Sequence, residues 1–229
     1  MLGQTAILEP VAPPTSLHLV EEINHRVVNE YSEAIASLSL AANRAGSDIA
    51  KEALARAADR LRDHAESHRA LLPPSSEAGA NLADYIGRIC NTFSQSTLAE
   101  RGVLLALDAA DIDLPADRCW RIGLVVAELI RNAARHGLRD RSGRIAVHVT
   151  EYAGRLMCLV RDTGQPRANS TPGRGQRLIR SLVADLGGSV EWSFAPDGAS
   201  ALVQLPLPSV ARLIEPVMPL DTMVMGEKL

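Results

Sequence analysis

Residues 128–137 read Glu-Leu-Ile-Arg-Asn-Ala-Ala-Arg-His-Gly. They close a helix that Pro115 opens and that Gly137 is expected to stop. Ile122, Val126, Leu129 and Ala133 recur at helical spacing and give this helix a buried stripe. Glu128, Asn132 and Arg135 fall together on one flank of that stripe. A carboxylate and an amide oxygen one turn apart can share the shell of a Mg²⁺ ion, directly or through water. An arginine beside them can meet a phosphate. Taken alone, such a flank is more often a plain polar helix face.

Two downstream segments change that weighting. Val160-Arg161-Asp162-Thr163-Gly164 ends a largely apolar strand that starts near Arg155. A carboxylate there can accept a hydrogen bond from the amino group of adenine, and Gly164 lets the backbone approach the base. Gly173-Arg174-Gly175-Gln176-Arg177-Leu178 then opens another helix. Glycines there expose backbone N–H groups and the positive end of the helix dipole, which suits a triphosphate.

In this order and spacing the three segments resemble the N, G1 and G2 boxes of the Bergerat ATP-binding fold, found in histidine kinases, gyrase and their relatives. The resemblance implies that Asn132 holds Mg²⁺ with Glu128 assisting, and that Asp162 reads adenine with Gly164 beside it. It also implies that Arg135 faces the phosphates and that Gly173 and Gly175 bound the ATP lid. One departure stands out. The family's G1 box carries a second glycine two residues after the first, whereas here Gly164 is followed by Gln165-Pro166. Proline removes an N–H donor and fixes φ. The lid between Gly164 and Gly173 is short, and it contains no phenylalanine of the kind the family's F box carries.

The N-terminal part has a different character. Pro13 and Pro14 interrupt structure, and Thr15 or Ser16 can cap the helix that follows, to about Asn43. Gly46 breaks it, and Ser47 or Asp48 caps a second helix that runs to about Leu72, before Pro73-Pro74. So short a turn forces the two helices antiparallel. On the first helix Val20, Ile23, Val27, Tyr31, Ala34 and Leu38 share one face. Glu22, His25, Asn29 and Ser32 lie on roughly the opposite one, turned to water. A lone hairpin has little to bury itself against, and a symmetric dimer forming a four-helix bundle solves this.

Glu22-Ile23-Asn24-His25-Arg26-Val27-Val28-Asn29 resembles the phosphoacceptor box of the HWE-type sensor histidine kinases and of the HisKA-2 class. That box has Glu three residues before the histidine, then His-Arg-Val and an Asn. The family's usual Lys and second Asn are here Val28 and Glu30. The resemblance implies that His25 is the phosphorylated nucleophile. Glu22 would orient or deprotonate it, with Asn29 within reach.

The expected fold is therefore α+β. Residues 16–74 form a dimerising phosphotransfer hairpin, and residues 80–207 an ATP-binding domain of sheet and helices. Residues 1–15 are a leading segment and 208–229 a tail whose role the sequence leaves open. Further elements are expected as a helix from Asn81 to about Ala99 and strands near Val103–Leu107, Arg144–Glu151, Arg155–Arg161, Ser189–Phe194 and Ser200–Leu205.

Composition narrows the class. A net charge of −3 predicts no general attraction to nucleic acid or anionic membrane. Cys90, Cys119 and Cys158 are odd in number and widely spaced, which argues against disulfides or a zinc cage and for a reducing cytoplasm. No apolar run approaches the roughly 20 residues of a membrane span, and the first residues do not read as a signal peptide. His64 and His68 lie one turn apart without an evident third ligand, so they read as a solvated or structural pair.

The leading expectation is an ATP-dependent histidine kinase that passes phosphoryl groups from His25 to the aspartate of a response-regulator receiver. A separate sensory protein would supply its input. The rival is a phosphotransfer shuttle between receivers with a degenerate nucleotide domain, favoured by Gln165-Pro166 and by the roughly 15 residues ahead of the first helix. A non-catalytic partner-binding switch does not need the histidine-bearing hairpin.

Overall fold

A computed structural model describes residues 16–74, 79–96, 98–139, 141–165 and 173–207. The lid residues 166–172, including Pro166, and the tail from 208 lie outside them. Helices α1 (Ser16–Arg44) and α2 (Asp48–Ala70) form the expected antiparallel hairpin. The Ser47 side chain caps α2 by accepting from the Ala50 N–H. Ala42, Ala58 and Ala65 are the buried apolar contacts of the pair, small enough for close approach. Tyr31 meets His68 ring to ring at 5.4 Å between centroids. Ile23 on α1 and Ile49 at the start of α2 nevertheless stay 51% and 82% exposed, so one hairpin does not cover its own apolar surface.

The second part is a five-stranded sheet with three helices packed on one face. Its order is β2 (Val103–Ala109), β4 (Gly143–Tyr152), β5 (Arg155–Asp162), β7 (Gly198–Pro206) and β6 (Ser189–Ala195). The β2–β4 pair is parallel and the others are antiparallel. Helices α3 (Leu82–Gln95), α4 (Ala116–Asn132) and α5 (Arg174–Asp185) supply the covering layer. Alternation along the strands sends Ile145, Val147 and Val149 of β4, Leu156, Cys158 and Val160 of β5, and Ala201, Val203 and Leu205 of β7 into one core.

Helix α3 stops at Gln95, short of the expected end near Ala99, where a short 3₁₀ turn, Ala99–Arg101, begins. A two-stranded ribbon pairs β1 (Ala80–Asn81) with β3 (Asp113–Leu114), an element too short for periodicity to announce. The largest difference is at the end of α4. Gly137 does not stop the helix. The coil widens into a π-helical turn over Ala133–Leu138, and Arg139 ends it in the left-handed region at φ 50°.

Two hydrogen bonds tie the hairpin's end to the sheet domain. The Tyr85 hydroxyl donates to the Leu72 carbonyl at 3.1 Å, and the Trp120 indole N–H donates to the Leu71 carbonyl at 3.1 Å. Burial pushes the thiols of Cys90 and Cys158 up to about 12 and that of Cys119 to about 11. All three are free and, so perturbed, stay protonated at neutral pH, which removes them as nucleophiles. No helix among the described residues is long and apolar enough to cross a membrane.

Gly123 in the middle of α4 tests the α3–α4 packing. A Cβ there would overlap the Tyr85 ring and approach Ile89 Cδ1 to 2.9 Å. Gly123→Ala is expected to destabilise the domain by about 1–3 kcal/mol, the usual cost of overpacking. Chemical denaturation checks this as a lower midpoint with an unchanged slope.

Candidate functional site

Strand β5 places the residue around which the site is built. Its inward positions run Leu156, Cys158, Val160 and then Asp162, so the alternation that buries the apolar row buries a carboxylate at its end. Asp162 is 4% exposed. Its Oδ1 accepts from the Gly164 N–H at 2.8 Å and from the Ala199 N–H at 3.5 Å. Burial raises its pKa above the usual carboxylate range, and those two N–H groups oppose the rise.

The backbone closes tightly around this carboxyl. A Cβ on Gly137 would sit 2.5 Å from its atoms, and one on Gly164 would overlap the Gly137 carbonyl. Gly137, read from the sequence as a helix stop, is thus required by the approach of α4 to Asp162. Gly164 packs against Gly137 and does not line the cavity above.

That cavity has a volume of about 550 Å³. It brings together six of the sequence-derived residues: Glu128, Asn132, Arg135, Asp162, Gly173 and Gly175. Among the described residues Asn132 Nδ2 is buried without a hydrogen-bond partner, so a polar group stands in the cavity wall with its capacity unused. Turning the amide over offers its oxygen instead. Glu128 faces Arg131 at 3.7 Å, and a Cβ on Gly175 would overlap its carboxylate. Gly175 therefore lets the start of α5 come close to α4. Among the described residues no three His, Cys, Asp or Glu are arranged to hold a metal. A cation at Asn132 and Glu128 would need ligand oxygens and water to complete its shell, which is how Mg²⁺ is usually held.

The sequence reading missed His136, Gln176, Trp192, Phe194 and the Ala199–Ala201 stretch, which also line the cavity. The aromatic pair follows from period two along β6, where Val190, Trp192 and Phe194 share a face. That signal needs the sheet register to be read.

His25 stands exposed on α1, and Glu22, Asn29 and Ser32 are exposed with it. Glu22 does not engage the imidazole. Its carboxylate accepts from Arg26 one turn on, at 2.9 Å. The Ser32 hydroxyl donates to the Val28 carbonyl. His25 does not line the cavity that holds Asp162 and Asn132.

Comparison with known proteins follows the same division. A model of the histidine kinase family matches residues 22–97, and one of the histidine kinase-like ATPase domain matches residues 95–198. This chain belongs to the histidine kinase family. Its type is the HWE and HisKA-2 one, which the segment Glu22–Asn29 resembles.

Blue-light-activated histidine kinase 2 of Erythrobacter litoralis is 27% identical over 209 residues, which is 84% of this chain and 58% of that protein. Sensor histidine kinase PdtaS of Mycolicibacterium smegmatis is 27% identical over 192 residues, covering 80% of this chain and 38% of the relative. The chain thus spans about half or less of these relatives' lengths. Among solved structures, the histidine kinase domain of the Erythrobacter litoralis EL346 kinase superposes with a TM-score of 0.56 at 22% identity, over 78% of this chain and 96% of that domain. This shared fold is the helical hairpin followed by the ATPase sheet domain described above.

The buried carboxyl carries a pH signature. The native state holds the Asp162 proton more tightly than the unfolded chain does. Its contribution to stability therefore falls as pH rises from the ordinary aspartate value, about 3.9, towards the raised native one. Asp162→Asn removes this titration and keeps an acceptor for the Gly164 N–H. Urea midpoints of both proteins across about pH 4 to 7 should shift steadily in favour of the variant. A difference that is flat with pH, or that drifts the other way, would show that burial does not perturb this group.

Proposed function

We propose that this chain is an ATP-dependent protein-histidine kinase that phosphorylates His25 and passes the phosphoryl group to the aspartate of a response-regulator receiver. The observation that carries the reading is the pairing of two ends in one cavity. A buried acceptor, Asp162, lies at one end. Asn132, Glu128 and Arg135 lie at the other, beside the glycine-bounded start of α5. A base carrying an amino group suits the first, and a polyphosphate suits the second.

Each residue then has a role. Asp162 accepts from the adenine amino group. Arg135 and the N–H groups at the start of α5 meet phosphate oxygens. Asn132 and Glu128 would hold Mg²⁺, which supplies neutralisation of the phosphate charge. A ring nitrogen of His25 bonds to the γ-phosphorus as the bond to the departing ADP oxygen breaks, and the remaining ring N–H gives up its proton to a base. Glu22 is one turn away and suited to that task. Its pairing with Arg26 is exposed, and such pairs are worth only about 0.2–1 kcal/mol, so releasing it costs little. The uncovered Ile23 and Ile49 support a homodimer through the hairpin.

The test is incubation of the purified chain with γ-labelled ATP and Mg²⁺. Acid-labile label is expected on the wild type and none on His25→Ala. Asn132→Ala is expected to label about a hundredfold more slowly, the order for losing one preorganised charge-stabilising group. An unlabelled wild type that exchanges phosphoryl groups with a phosphorylated receiver would replace this reading with the shuttle.

A further inference from the structure

We propose that Phe194 is the surface on which the nucleobase stacks, and that it selects purine over pyrimidine nucleotides. The inference rests on the reading of the cavity as a nucleotide site and adds a specificity residue to it.

Aromatic residues are scarce here, with two Phe, two Trp and three Tyr in 229 residues. Phe93, the other phenylalanine, is 4% exposed in the core. Phe194 is 49% exposed, yet it lines the concave cavity. Among the described residues no partner covers the open half of this ring, and the cavity is where one would bind.

Its position follows from the register. Along β6 the inward residues are Val190, Trp192 and Phe194. The first two pack against the core, and Arg180 sits over the Trp192 ring at 4.6 Å. Phe194 is the last inward position, beyond that packing. Its cross-strand partner is Ala199, and the Ala199 N–H donates to Asp162 Oδ1 at 3.5 Å. Directly paired residues have Cβ atoms about 4.5–5.5 Å apart. Phe194 is therefore one cross-strand step from the residue that touches the base-reading carboxylate. β6 is also the edge strand of the sheet among the described residues.

The two groups select on different properties. Asp162 accepts from an exocyclic amino group, which adenine and cytosine both carry and which guanine lacks at the corresponding position. A ring face selects on stacking area, which the two purines share and cytosine lacks. Base–aromatic stacking of this kind is sequence-tolerant and is lost on truncation to alanine.

Calorimetric titration of the full chain with ATP, GTP and CTP in the presence of Mg²⁺ separates the two. In Phe194→Ala, ATP is expected to bind about tenfold more weakly, which corresponds to about 1.4 kcal/mol. CTP should lose markedly less, so the preference for ATP over CTP narrows. The preference for ATP over GTP should stay as in the wild type. Phe194→Leu keeps apolar bulk without a π face. It should bind like the alanine variant while unfolding thermally with the wild type, and Phe194→Trp should retain ATP affinity. Equal weakening of ATP and CTP would mark Phe194 as merely structural and overturn the proposal, as would wild-type ATP affinity in Phe194→Ala. A wild type that binds ATP while only the variants disagree fails this inference alone. A wild type that binds none of the three nucleotides overturns the nucleotide reading and this inference with it.

Discussion

A carboxylate buried at the end of an apolar strand row is the constraint around which the sheet domain is arranged. Burying such a group without partners costs several kcal/mol, because charge and polar atoms lose water. Asp162 is held by two backbone N–H groups, from Gly164 and Ala199, and by a shell of backbone with no side chains in the way. Gly137 lies above it, and Gly164 fits beneath the Gly137 carbonyl. At Gly198, with φ at +147°, a Cβ would overlap the Asp162 carbonyl. Three glycines on three segments thus serve one aspartate. The π-helical turn belongs to the same arrangement, since Gly137 sits within it. Such wide turns cost hydrogen-bond geometry and are found mostly where a site needs them.

Much of this architecture was legible in the sequence. The 3.6-residue apolar period of α4 and the largely apolar run of β5 are physical signals, because each follows from burial. Asp162 stands out because a carboxylate closes that apolar run beside Gly164. Other features could not be read, for identifiable reasons. The β1–β3 ribbon has two residues on each side, too few to show a period. Gly137 gave a correct residue with the wrong cause, since a helix-stopping glycine and a close-packing glycine look alike until the opposing strand is known. Trp192 and Phe194 line the cavity only because β6 pairs with β7 in a particular register, which is a long-range fact.

The hairpin shows a different limit. Spacing alone put Glu22 within reach of His25, but Arg26 is equally near, and a guanidinium is the stronger partner for a carboxylate than a neutral imidazole. The local sequence offered both pairings, and the structure has the ion pair. His68 belongs, with His64, to the pair that spacing reads as solvated or structural. It packs against Tyr31, and burial, with Arg131 and His64 nearby, lowers its pKa. A neutral imidazole in that place belongs to the hairpin's packing, in keeping with its reading as structural.

The joint between the two parts bears on how transfer can occur. A second cavity of about 500 Å³ lies between α2 and α4, and it shares Glu128, Asn132 and Arg135 with the first. The phosphate end of the proposed nucleotide site therefore opens towards the hairpin. His64 and Ser67 of α2 line that opening, whereas His25 on α1 does not. Under the proposed reaction His25 has to reach the γ-phosphorus, so either the sheet domain moves along the hairpin or it serves the histidine of a partner protomer. The joint sets the cost of the first. It includes two neutral hydrogen bonds to the Leu71 and Leu72 carbonyls, just past the end of α2, and the Leu71 side chain, which is buried in the core of the sheet domain. Each such bond contributes only about 0.5–1.5 kcal/mol net, and exposed carbonyls find water when released. A rearrangement there also draws Leu71 out of the core, a further cost of about 1.5–3 kcal/mol, so movement of the sheet domain along the hairpin has to be offset by new contacts where transfer occurs.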